Sequence, residues 1–176
     1  MTKLYAAATL AGLTLMLATP RSASAQIVPS PPWGEPINTP GRFVVLASYN
    51  NAAVYDGETG LVWEQSPSAA IQHWQDAQIA CGQKMVGNRF GWRLPTVQEL
   101  ASLVDPTQGA YPFLPAGHPF DFSSFPYSFW AATTWGQNPD YAWIVQLINP
   151  GIGPNHKVND SNSAWCVRGG SGAPAQ

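Results

Sequence analysis

The chain has 176 residues, of which 10% are charged and 12% aromatic, and its formal net charge is −2 at pH 7. So few charges beside so many rings exclude a disordered polyampholyte and point to a compact fold with many buried aromatic side chains. The acidic balance also excludes nucleic acid as a partner, because a polyanion would be repelled rather than steered in.

The first residues read as an export address. Lys3 gives a basic start, Leu4 to Ala18 is an almost uninterrupted apolar run, and Ala23-Ser24-Ala25 supplies the small-x-small site that a signal peptidase cuts. The run is shorter than the roughly 20 residues that span a bilayer, and no second run follows. Residues 1–25 are therefore expected to be removed, leaving a product exported to the periplasm or the extracellular space with no membrane span. Lys3 and Arg21 leave with that segment, so 6 basic residues face 10 acidic ones, a formal −4. The remainder is expected to comprise a proline-rich arm (26–42), one domain (43–170) and a flexible tail (171–176); its size suits one core but not two.

Five prolines between Ile27 and Pro40 exclude a helix and favour an extended arm. Phe43 to Leu46 is a β-branched and aromatic run, and Ala53-Val54-Tyr55, Asp56-Gly57-Glu58-Thr59-Gly60 and Leu61-Val62-Trp63 read as strand, turn and strand. Ser66 or Ser68 is expected to cap a first helix carrying Ile71, Trp74, Ala77, Ile79 and Cys81, with Gly82 terminating it. A second helix is expected from Thr96, where Thr-Val-Gln-Glu spells a capping box with Glu99. Val97, Leu100, Ala101, Leu103 and Val104 form its apolar face, and Pro106 ends it. Gly109 to Phe129 shows no period, and a loop that long either carries function or lies flat on the core. Ser128 to Thr134, Tyr141 to Ile148 and Ser163 to Arg168 then read as three strands, so the order predicts an α+β fold.

Two cysteines in an exported chain have only each other as intramolecular partner, and the compartment is oxidising. A Cys81–Cys166 disulfide is expected, tying the last turn of the first helix to the last strand.

Taken in order, Tyr55-Asp56 with Thr59-Gly60-Leu61-Val62-Trp63, Cys81, Trp92-Arg93-Leu94-Pro95-Thr96 with Glu99-Leu100, Phe129-Trp130-Ala131-Ala132-Thr133, Ala142-Trp143 and Cys166-Val167-Arg168-Gly169 resemble the DUF1566 family, also called the Lcl C-terminal domain, over Val54 to Gly170. More distantly, Arg-Leu-Pro-Thr before a helix and Val-Arg-Gly-Gly at the end resemble the formylglycine-generating enzymes. That resemblance implies a C-type-lectin-like fold, two helices beside a small antiparallel sheet with a long irregular loop region. The cysteine positions also resemble the core disulfide of C-type lectins. The catalytic cysteine pair and copper chemistry of the formylglycine-generating enzymes find no match, because the staple accounts for both thiols. No nucleophile motif or phosphate loop is present, and His73, His118 and His156 share no ligand spacing, so no catalytic constellation and no cofactor is expected.

The function expected is therefore that of a non-enzymatic binding or adhesion module for a glycan or a surface protein. A degenerate or active formylglycine-generating-type enzyme and an envelope domain without a small ligand are the competing readings. The family resemblance implies glycosaminoglycan binding, but an anionic glycan needs a basic cluster, and Lys84, Arg89, Arg93, Lys157 and Arg168 are scattered. A neutral sugar needs a ring for its C–H face and amides for its hydroxyls. Tyr127, Trp130 and Trp135, with Asn138, Asp140, Asn159 and Asp160, are the candidates for such a site. The four oxygen-bearing residues are also weak calcium candidates if their loops meet, against the plainer reading that Asn-Pro and Asn-Asp form turns. Trp63, Trp74, Trp92, Trp143 and Trp165 are expected in the core, and Arg93 in a structural ion pair.

Overall fold

The β-branched run that opens the domain does form a strand, and it pairs with the expected hairpin. In the computed structural model, which describes residues 41–124 and 127–170, β1 (Phe43–Val45), β2 (Ala53–Asp56), β3 (Val62–Glu64) and β7 (Val167–Arg168) make an antiparallel sheet in the order β1-β2-β3-β7. The expected signal peptide, the arm up to Pro40 and the tail lie outside the described residues. The turn between β2 and β3 is written into Asp56, whose carboxylate accepts from the Glu58 N–H at 3.1 Å and the Thr59 hydroxyl at 2.8 Å. Gly60, at φ +71°, supplies the left-handed residue that brings the chain back.

Helix α1 (Trp74–Gln83) begins later than its serines suggested. Gln72 exchanges backbone hydrogen bonds with Asn162, at 3.0 and 3.1 Å, so the chain up to that point is committed to a bridge and cannot coil. Ser68 instead accepts from the Ala70 N–H in a local turn, and Ile71 is exposed. Gly82 lies inside the helix, which closes at Lys84 through its N–H to the Cys81 carbonyl. Cys81 does sit in the last turn.

Helix α2 (Val97–Ala101) opens on the expected capping box: the Thr96 hydroxyl accepts from the Glu99 N–H at 3.2 Å, and Glu99 Oε2 accepts from the Thr96 N–H at 2.8 Å. It is only five residues long, but the turn after it still delivers Leu103 to the core beside Leu100. Thr96→Ala should lower stability by about 1 kcal/mol, the usual loss for such a cap. An unchanged denaturant midpoint would show that the box contributes nothing.

The largest departure from expectation is a second sheet. Strands β4 (Ser128–Thr134), β5 (Tyr141–Gln146) and β6 (Gly151–His156) pair antiparallel in the order β4-β5-β6. Strand β6 was not expected because two glycines and a proline break its pattern. Pro154 is nevertheless tolerated because β6 is an edge strand. Conversely, Ser163 to Arg168, expected as a strand beside these, yields only β7, which joins the first sheet; Ser163 bridges to Phe129. The fold is thus α+β with two helices and two small antiparallel sheets rather than one.

The core divides around β4 and β5, whose successive residues face opposite ways. Phe129 and Val145 join Trp63, Leu100, Leu103, Leu114, Phe120, Phe122 and Trp165 in one cluster. Trp130, Ala142 and Ile144 join Ala77, Cys81, Trp92 and Cys166 in the other. The long loop lies flat on the first cluster: Phe120 and Phe122 meet Trp165 edge-on at 4.9 and 5.3 Å. Cys81 and Cys166 are bonded, with Cα atoms 5.5 Å apart.

Candidate functional site

Strand β4 decides which of the expected site residues can act together. Tyr127 stands just before it and Trp135 just after it, so about eight residues of extended chain, roughly 25 Å at ~3.3 Å each, separate the two rings. One small ligand cannot touch both. Tyr127, half exposed, meets Tyr111 at 6.0 Å. Trp130 corrects the expectation more sharply: it is fully buried, and its indole N–H donates to the Gln72 carbonyl at 2.8 Å, so it is core.

At the Trp135 end the remaining candidates do converge, because β5 starts where β6 ends. The chain from Trp135 to Tyr141 closes on itself, with the Trp135 N–H donating to the Tyr141 carbonyl at 2.9 Å. This stacks three rings edge to face: Trp135 lies 5.7 Å from Tyr141, and Tyr141 5.1 Å from His156. Tyr141 and His156 are cross-strand partners, so both side chains stand on one face of the sheet, the face that also carries Trp143 and Pro154. Tyr141 and His156 were not among the expected site residues. The alternation Tyr141, Trp143, Val145 along β5 was the signal that could have found the first of them. Trp143, expected in the core, is only partly covered.

The turns carrying Asn138, Asp140, Asn159 and Asp160 also meet here, through the Lys157 N–H to the Asp140 carbonyl at 2.8 Å. Two of the four side chains bend their own turns: Asn138 Oδ1 accepts from the Asp140 N–H at 2.9 Å, and Asp160 Oδ2 from the His156 N–H at 2.7 Å. Between the turns lies the Lys157 ammonium, which donates to the Pro139 carbonyl and the Thr134 hydroxyl and sits 4.1 Å over the Trp74 ring. A built-in cation therefore occupies the junction between the turns that carry the four calcium candidates. Among the described residues no group of three or more His, Cys, Asp or Glu stands close enough to hold a metal ion. Asp140 and Asn159 are exposed beside the three rings.

The other basic residues are locally engaged. Arg93 makes a two-pronged ion pair with Glu99 at 2.8 Å and donates to the Gly169 carbonyl, the structural role expected for it. Arg168 donates to the Phe90 carbonyl and the Tyr49 hydroxyl, and Arg89 lies over the Tyr49 ring. Lys84 pairs with the buried Glu64, whose Oε2 also accepts from the Cys166 N–H at 2.8 Å.

Burial holds the Glu64 carboxyl above its ordinary 4.5, with the Lys84 ammonium and the Cys166 N–H pulling the other way. A carboxyl raised on folding binds its proton more tightly in the folded state, so stability falls as pH rises from 4.5 through the folded value. At Glu99 burial is outweighed by the bonds from Arg93 and Thr96, which hold the carboxyl low. Its contribution is present above 4.5 and is lost as pH falls. Glu64→Gln keeps an acceptor for Cys166 but removes the proton. Across the window above 4.5 its denaturant midpoint should decline less than the parent's, and parallel profiles would refute the assignment.

The sequence model of the Lcl C-terminal domain family matches residues 52–168, about two thirds of the chain. No curated protein matches. Among the described residues no helix is long and apolar enough to cross a membrane.

Proposed function

The chain belongs to the Lcl C-terminal domain family, and on that premise we propose that it is an exported, non-enzymatic binding module of C-type-lectin-like architecture that holds a neutral glycan. The observation that carries this reading is the row Trp135, Tyr141 and His156, flanked by the exposed Asp140 and Asn159. A ring surface for the C–H face of a sugar and polar groups beside it for the hydroxyls are what such a ligand requires. A sulfated glycan is disfavoured, because the lysines and arginines named above are turned to local partners and the mature chain is acidic. The lectin-like architecture is supported by two helices beside antiparallel strands and by a disulfide from the last turn of α1 to the residue before the final strand. Thiol chemistry of the formylglycine-generating type is disfavoured, since both sulfurs are bonded to each other and buried.

A glycan array probed with oxidised protein, with and without calcium, tests the reading. Trp135→Ala should then weaken the selected ligand by about 1–2 kcal/mol while the denaturant midpoint holds, as expected of a ring central to a small site. Unchanged affinity would move the site elsewhere. A cooperative loss of about 3–5 kcal/mol in stability would make Trp135 a packing residue.

A further inference from the structure

We propose that the proline-rich segment preceding Gly41 docks back onto this same chain, in a shallow apolar groove between α2 and the β5–β6 hairpin, with Trp33 as its anchor. The groove holds about 230 Å³ and is lined by Val97, Gln98 and Ala101 of α2, Trp143 of β5 and Ile152 of β6. Ile152 is half exposed, although Val97, Ala101 and Trp143 line the groove beside it. No described segment lies across it.

Three observations select the occupant. The first is where the segment ends. Arg42 donates from Nη2 to the Ser102 carbonyl at 3.0 Å, one residue beyond Ala101, so the described part begins within an arginine side chain's length of the C-terminal end of α2. The second is reach: residues 26–40, at ~3.1 Å per residue in an extended proline-type helix, span up to roughly 45 Å, while the groove begins within about a turn of α2. The third is chemistry. Five prolines restrict the backbone, so less entropy is lost on docking, and the groove offers the Trp143 ring beside aliphatic side chains, surfaces of the kind that receive such segments. Trp33 and Pro36, three residues apart, fall on one edge of a three-residue-per-turn helix, and Glu35 is the only charge from Gln26 to Pro40. Tethering gives the segment an effective concentration in the millimolar range, which favours its own groove over that of a second copy.

The test uses the full exported chain. Trp33→Ala should shift the backbone amide resonances of Val97, Gln98, Ala101, Trp143 and Ile152, and the shifts should persist on tenfold dilution. Ile152→Lys, which puts a charge into the groove, should speed chymotrypsin cleavage after Trp33 by at least about fivefold, since cleavage follows the undocked population. Shifts confined to residues near Trp33, or an unchanged cleavage rate, would overturn the proposal. Shifts that fade on dilution would overturn it in favour of an arm supplied by a second copy. The glycan site of the preceding reading stands or falls separately, because its anchor Trp135 is absent from the groove.

Discussion

Asp56→Ala is expected to cost about 3–5 kcal/mol, the loss seen when one partner of a buried ion pair is removed and the other stays behind. Asp56 is wholly buried, and both its oxygens accept from Arg42, Nε and Nη2 each at 2.8 Å. Arg42 is 4% exposed, so without Asp56 its charge would stay out of water with only Glu58, on Nη1 at 3.0 Å, to answer it. The same carboxylate organises the β2–β3 turn through Glu58 and Thr59, so the substitution removes a turn as well as a counter-charge. Asp56→Asn separates the two effects: it keeps an acceptor for the turn but presents an amide to the guanidinium. Urea titrations should rank parent above Asn above Ala. Equal stabilities for Asp56→Asn and the parent would show that the charge is dispensable and the turn carries the role.

That pair shows what the sequence made legible and what it did not. Asp56, Thr59 and Gly60 announced a turn because the bonds that make it span four residues, and the Thr96–Glu99 box was legible for the same reason. That the carboxylate also neutralises Arg42 depends on β1 returning alongside β2. The start of α1 was misread because the contact that forbids an earlier start joins Gln72 to Asn162, ninety residues on. Strand β6 was invisible because its glycines and proline are acceptable only at an edge, and edges are decided by pairing.

The site was half legible on similar grounds. Trp130 and Trp135 are five residues apart in one strand region, and nothing local distinguishes the ring that bonds Gln72 inside the core from the ring that stacks on Tyr141 outside it. Tyr127 and Trp135 look adjacent in a list of residues but are held apart by the strand between them. Asn138 and Asp160 stand out in the sequence as ligand candidates, and in the structure their side chains bond the backbone of their own turns, the role that Asn-Pro and Asn-Asp spell locally.

Removal of the disulfide, by Cys81→Ala together with Cys166→Ala, is expected to cost about 2–5 kcal/mol, and the mechanism can be read from the same titration. The bond closes a separation of 85 residues, for which chain entropy alone gives about 4–5 kcal/mol through the unfolded state. On the folded side the attachment does not depend on sulfur. Cys166 is held by two further bonds, its N–H to Glu64 Oε2 at 2.8 Å and its carbonyl from the Glu64 N–H at 3.1 Å, and the next residue, Val167, exchanges backbone bonds with Arg93 at 2.9 Å. The paired sulfurs are buried, so the two alanines leave a small cavity rather than an unpaired polar group. The folded structure should therefore persist, and the loss should come chiefly from a freer and more expanded unfolded chain. Such a chain exposes more surface, so the dependence of stability on urea should steepen as the midpoint falls. A lower midpoint with an unchanged slope would place the effect in the folded state instead. A loss below about 1 kcal/mol would mean that the bond restricts the unfolded chain far less than its loop length implies, and would overturn the entropic account.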